Sequence, residues 1–160
     1  MSTGRARVAA LIRMATGLLF LALGYSKMTG EFVRGGFGEA AAGAARKAWP
    51  FWRPVLEGVI VPNADPLGWV FAGAEVAIGI GLLLGLMTPV AAAGGVVLML
   101  GLVLNDSYAG PGAAWTEWVT AALSAKLALL LFALILASDA GRMWGIDGRL
   151  KRGRPGSRLR

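Results

Sequence analysis

Two ionisable residues, Glu75 and Lys126, fall deep inside long apolar stretches of this chain. A charged side chain left alone at the centre of a membrane helix costs about 2.5 to 3.5 kcal/mol on insertion scales, so each needs compensation. Three arrangements supply it: an ion pair that fixes helix packing, a ligand or proton site, or a water-filled crevice. The helices carrying the two groups start near Leu67 and Trp118 and run in the same direction, which puts both residues at equal depth, roughly 12 Å in at 1.5 Å per residue. The sequence therefore predicts a Glu75–Lys126 pair, provided that both side chains face inward.

A second set of residues has the chemistry to meet a ligand. Tyr25, Ser26 and Lys27 close the first apolar stretch, where they serve either as interfacial anchors or as donors to a ligand carbonyl. Asn105, Asp106, Tyr108, Trp115, Glu117 and Trp118 form a later loop, and with Trp69 across the bundle they rim either a pocket or an ordinary aromatic belt. Arg13, five residues into the first helix, is expected to snorkel to the interface along its aliphatic stem. The chain has neither Cys nor His, which removes disulfides, thiol chemistry, iron–sulfur clusters, His-ligated haem and nearly every catalytic zinc site. No metal and no intrinsic cofactor is expected. Any redox chemistry needs a partner or a bound organic molecule.

These residues must be positioned by membrane helices. Of 160 residues, 56% are hydrophobic and 16% charged, with a mean hydropathy of +0.63; a soluble domain carries about 25% charged residues. Four segments are apolar enough to cross a hydrocarbon core that takes about 20 helical residues: Val8 to Ser26, Leu67 to Met87, Pro89 to Leu104 and Trp118 to Ser138. The reading is a single all-α domain over residues 1–160, an integral membrane four-helix transmembrane bundle. Only Thr88 separates the second and third helices, and Pro89 is harmless in a first turn. A cleaved signal peptide fits the first segment less well, because Arg13 interrupts it.

The long first loop, Lys27 to Pro66, contains an Ala-rich stretch from Phe37 to Ala48 and then Trp49, Pro50, Phe51, Trp52, Arg53 and Pro54. A short interfacial helix with its aromatics at headgroup depth is expected there, serving as a belt or as a lid over a ligand. Inside the spans, Gly17, Gly24, Gly81, Gly85, Gly94 and Gly101 offer small faces where helices approach closely, with Gly81 and Gly85 forming a GxxxG pair.

Charge orients the bundle. Arg5 and Arg7 precede the first span, and Arg142, Arg149, Lys151, Arg152, Arg154, Arg158 and Arg160 follow the last, whereas the loops at 88 and 105–117 carry no Lys or Arg. Both termini are accordingly expected in the cytoplasm and the first loop in the periplasm. The net charge of +7 reflects these flanks, so nucleic acid is not an expected partner. The tail from 139 to 160 is expected to favour anionic lipid instead, by about 1 kcal/mol for each basic residue near the surface.

The first helix reads Leu11-Ile-Arg13-Met-Ala-Thr-Gly17-Leu-Leu-Phe20-Leu-Ala-Leu-Gly24-Tyr-Ser-Lys27. The second carries Glu75 and then Gly79-Ile-Gly-Leu-Leu-Leu-Gly85-Leu-Met-Thr-Pro89, and the end reads Arg142-Met-Trp-Gly-Ile-Asp147. This pattern resembles the DoxX family of small bacterial membrane proteins, whose relatives include the small subunit of thiosulfate:quinone oxidoreductase. The resemblance implies a four-helix bundle beside redox or sulfur-metabolising proteins and near quinone, with no settled reaction. It carries over Arg13, Gly17, Gly24, Lys27, Glu75, Gly85 and Asp147; Gly145-Ile-Asp147 departs from the family's usual Ser before a final Leu-Asp, which leaves that turn a capping role. The leading expectation is an accessory or quinone-interacting subunit of a membrane redox assembly, at most a non-metal, quinone-linked oxidoreductase subunit. Two alternatives stand beside it: a small-molecule or proton-coupled transporter acting as a homo-oligomer, against which the helices show no Gly/Pro-broken centre, and a non-catalytic assembly factor or scaffold.

Overall fold

Runs of Leu, Ala, Val and Ile in an apolar surrounding leave the backbone no partner but itself, and it closes its hydrogen bonds as helices. The structure, a computed structural model, describes residues 3–138 and 144–148, and those residues form helices and turns without a strand. The helices are α1 (Thr3–Thr29), α2 (Gly36–Ala45), α3 (Arg53–Val55), α4 (Ala64–Leu84), α5 (Thr88–Asp106), α6 (Trp115–Thr120) and α7 (Leu123–Ala137). Most of the basic tail lies outside the described residues.

Three helical stretches are long and apolar enough to cross a membrane: Ala6–Thr29, Arg53–Leu84 and Thr88–Asp106. In each, the share of the most apolar window that is buried is 33%, 33% and 28%, so most of those apolar side chains face outward. Leu18, Leu19, Val70, Val90, Val97, Leu130 and Leu134 are among the exposed. Water disfavours that much apolar surface, and lipid accommodates it. The chain is a multi-pass membrane protein.

Two boundaries differ from the sequence expectation. The second span begins at Arg53 and not at Leu67, because α3 runs through a π turn (Leu56–Ile60) and a 3-10 turn (Val61–Asn63) directly into α4. Pro62 sits in the first positions of that 3-10 turn, where its missing N–H is tolerated, and the Asn63 side-chain amide donates to the Val59 carbonyl at 2.8 Å. The fourth helix is broken. Ala122 adopts φ +51° between α6 and α7, so the uninterrupted apolar part has 15 residues, roughly 22 Å at 1.5 Å per residue. Lys126 explains how the break is held: its ammonium donates to the Trp118 carbonyl, an acceptor that loses its helical partner at the break.

α1 packs along α4 and α5 along α7, with the α4–α5 hairpin joining the pairs. Gly17 and Gly24 do form the close face expected of them, Gly17 against Gly79 and Leu83 and Gly24 against Ala72 and Val76: a Cβ at Gly17 would lie 2.6 Å from the Leu83 nitrogen, one at Gly24 2.8 Å from the Val76 nitrogen, and one at Gly79 2.5 Å from the Leu21 nitrogen. Gly95 lies under the Phe132 ring, where no Cβ fits. Phe132 meets Phe20 edge to face at 4.7 Å in a core completed by Ile78, Leu82, Ala92, Met99 and Ile135. Gly81 faces Ala91, and Gly94 is in ordinary contact with Ile78. Gly101 is a correction: a Cβ there would meet nothing within 4 Å, so it packs against no helix.

Candidate functional site

At the end of the bundle that carries Lys27, α2 and the turns around it pack on α4 and α5 and, with the start of α7, border a half-open cavity of about 520 Å³. Ligand cavities run from about 300 to 1,000 Å³. One wall is aromatic, with Phe32, Phe37 and Phe71 packed at centroid distances of 5.4 to 6.1 Å. α2 contributes its small residues Ala40, Ala41, Gly43 and Ala44 to the lining, and α5 contributes Gly101, Leu102, Asn105 and Asp106, with Ala122, Ser124 and Ala125 beside the helix break.

Lys27 supplies the charge on the aromatic wall. Its ammonium is 2.5 Å from Glu75 Oε1 and lies 5.0 and 4.9 Å from the ring centres of Phe32 and Phe71, distances at which a cation is attracted to a ring face. The Glu75 side chain is 2% exposed and that of Lys27 24%. Among the described residues nothing hydrogen-bonds the second carboxylate oxygen, Oε2. The expected Glu75–Lys126 pair is thus not formed: depth was equal, but Lys27, from the antiparallel neighbour α1, takes the carboxylate, and Lys126 serves the break.

Of the other residues expected at a ligand site, Asn105 and Asp106 line the cavity with Lys27. Tyr25, Trp69 and Trp115 are exposed and line none of it, and Ser26 donates to the Leu23 carbonyl of its own helix. Trp118 joins a separate cluster with Trp49 and Tyr108, at 5.3 and 5.7 Å. That cluster clasps the first loop to α5, since the Trp49 indole donates to Ser107 Oγ and its backbone N–H to the Leu104 carbonyl. Near it, Lys47 and Asp106 face each other across 3.7 Å on the surface, a pair of little energetic weight. Of the aromatic stretch of the first loop, Trp52 lines the cavity, Trp49 belongs to the clasp and Phe51 is exposed.

Phe32, Phe37 and Phe71 were not singled out by the sequence. Phe71 carried a signal: it precedes Glu75 by four residues, which sets it on the same face of α4 one turn away.

The opposite end of the bundle is a structural lock. Gly85 ends α4 with φ +62°; its N–H donates to the Leu82 carbonyl and that of Leu86 to the Gly81 carbonyl, the paired bonds of a glycine-terminated helix. Asp147 then caps α5 from the far end of the sequence, its carboxylate accepting from the Met87 and Thr88 N–H groups at 2.9 Å each, while its own N–H donates to the Gly85 carbonyl at 3.0 Å. Arg13 does not snorkel. It is fully buried over Gly85, where a Cβ would collide with its guanidinium, and it feels the attraction of Asp147.

The DoxX family profile matches residues 8–105, more than half of the chain. The match spans α1 through nearly all of α5, and so includes Arg13, Lys27, Glu75 and Gly85; this protein belongs to the DoxX family. No curated protein and no solved structure matches it.

Proposed function

We propose that this DoxX-family chain is an inner-membrane subunit that holds a quinone-class ligand against Lys27, beside a redox partner that supplies or takes the electrons. The observation that carries the reading is the Lys27 ammonium on the wall of an apolar, aromatic cavity, held by a buried carboxylate. An ammonium with one of its three donors on Glu75 keeps donors for a ligand carbonyl. The rings accept a flat headgroup by stacking, and an isoprenoid tail is at home in the surrounding lipid.

Binding of a decyl-tailed 1,4-benzoquinone to the protein in nanodiscs tests this. Gly43 lines the cavity, and a Cβ there meets no atom within 4 Å, so Gly43→Leu adds bulk at the cavity edge with no clash at Cβ. The expected result is quinone binding by the native chain that weakens by about tenfold or more in Gly43→Leu, about 1.4 kcal/mol, at an unchanged melting temperature. Undiminished binding in Gly43→Leu, or none in the native chain, would sink the reading.

The helix break on the same cavity wall favours a second reading, in which the ligand passes through the site and the protein is a transporter. Ligand flux in proteoliposomes that Gly43→Leu abolishes would select it over a static subunit.

The membrane topology is part of the proposal: α6 and α7 together make a fourth crossing, with both termini in the cytoplasm. Single cysteines placed in this Cys-free chain report it. An impermeant thiol reagent added to intact cells is expected to label a cysteine at Ala42, on the exposed side of α2, and to spare one at Ser2; labelling at Ser2 would reverse the assignment.

A further inference from the structure

Resting on that reading, we propose that Asn105 is a second hydrogen-bond donor of the cavity, oriented by Trp52, and that the site selects a planar ring with acceptors at two opposite edges over one with a single ketone.

The Trp52 indole N–H donates to Asn105 Oδ1 at 2.8 Å. An indole nitrogen donates only, so this bond fixes which end of the amide faces Trp52, and the other end must be the Nδ2 amino group. Among the described residues no acceptor takes Nδ2. Asn105 nevertheless lines the cavity, next to Asp106 at the end of α5, whose stretch from Val90 to Leu104 is all Gly, Ala, Val, Leu and Met.

The wall next to this donor is bare. Gly101 lies four residues before Asn105, hence on the same face of α5 one turn deeper, and a Cβ on it meets nothing within 4 Å. Glycine weakens a helix interior, and elsewhere in these spans, as at Gly17, Gly79 and Gly95, it makes room for a neighbouring protein group. Gly101, like Gly73, makes room for none, and unlike Gly73 it lines the cavity. Its flat backbone face, followed by a fixed N–H donor, matches a ring lying on α5 with an acceptor at its edge. Lys27 comes from α1 on the aromatic wall, so a ring that spans the cavity meets one donor from each helix. Trp52 also lines the cavity, but its N–H is spent on Asn105, so for this donor it is a positioning residue.

The test compares two probes on the full-length chain in nanodiscs: the decyl-tailed 1,4-benzoquinone and a decyl-tailed aryl ketone. The native chain is expected to bind the dicarbonyl about tenfold more tightly, the ratio produced when a donor is left without its acceptor. Asn105→Asp keeps an acceptor for Trp52 and removes the donor; it is expected to bring the dicarbonyl down to the level of the ketone and to leave ketone binding in place. Trp52→Phe keeps a ring but no N–H, and should lose part of the preference, as a residue that merely packs would not. Equal affinity of the native chain for both probes, or an undiminished preference in Asn105→Asp, would overturn the second donor while the Lys27 site stood. Failure of both probes to bind the native chain would overturn the site itself.

Discussion

Lys27→Met is expected to lower the stability of the protein by about 3 to 5 kcal/mol, the loss that follows when a buried charge is left without its partner. Glu75 is the charge stranded: its side chain is 2% exposed, and Lys27 is its salt-bridge partner. The reverse variant, Glu75→Leu, should lose less, because the Lys27 ammonium keeps its two phenylalanine rings and is 24% exposed. Replacing both residues, Lys27→Met/Glu75→Leu, should recover most of the loss, since no uncompensated charge remains. Reversible unfolding in detergent micelles gives the double-mutant cycle. Additive losses for Lys27 and Glu75 would refute their coupling. The companion cycle with Lys126→Met should come out additive with Glu75→Leu within about 0.5 kcal/mol, because Lys126 is engaged at Trp118.

The contrast between those two cycles marks how far the sequence could be read. Depth along a membrane helix follows from residue count and rise, and it put Glu75 and Lys126 level with each other. Rotation about the helix axis has no such ruler. A soluble helix declares its inner face by alternating polar and apolar residues, whereas α4 and α7 are apolar on all sides and declare nothing. The partner of Glu75 was therefore open to Lys27 as much as to Lys126, and only packing against α1 decides it. Arg13 was misjudged for a related reason. Its stem can reach the interface, but a cap by Asp147, 134 positions later in the chain, makes a polar place for it inside. The break at Ala122 had no Gly or Pro to announce it. The existence and order of the long helices were legible, because length and hydropathy suffice for that. So was half of the cavity's polar lining, Lys27, Asn105 and Asp106, because polar groups at the ends of apolar helices stand out. The phenylalanines that complete it look like any other apolar residues.

Gly79→Ala is the other substitution with a large expected effect, although it adds a single methyl group. The new Cβ would sit 2.5 Å from the Leu21 nitrogen, 2.8 Å from its Cα and 2.9 Å from the Gly17 carbonyl oxygen. All three are backbone atoms, so no side-chain rotation relieves the contact, and α1 must move away from α4. Overpacking of this kind costs about 1 to 3 kcal/mol, and a clash with backbone belongs at the upper end. Gly73 on the same helix provides the control: a Cβ there meets nothing within 4 Å, so Gly73→Ala should be neutral or stabilise by up to about 1 kcal/mol through helix propensity alone. Thermal melts of the two variants in one detergent separate a packing effect from a propensity effect, and equal melting temperatures would disprove the close crossing. The crossing also sets the site. Gly79 lies one turn from Glu75 on α4, and Gly24, seated on Val76, lies one turn from Lys27 on α1, so these contacts fix how the two helices present the ion pair. Spreading the helices should stretch the Lys27 bond to Glu75, and the coupling measured in the double-mutant cycle should shrink in the Gly79→Ala background while remaining intact with Gly73→Ala. A cycle unchanged by Gly79→Ala would mean that the long lysine stem, and not the helix crossing, places the ammonium on the cavity wall.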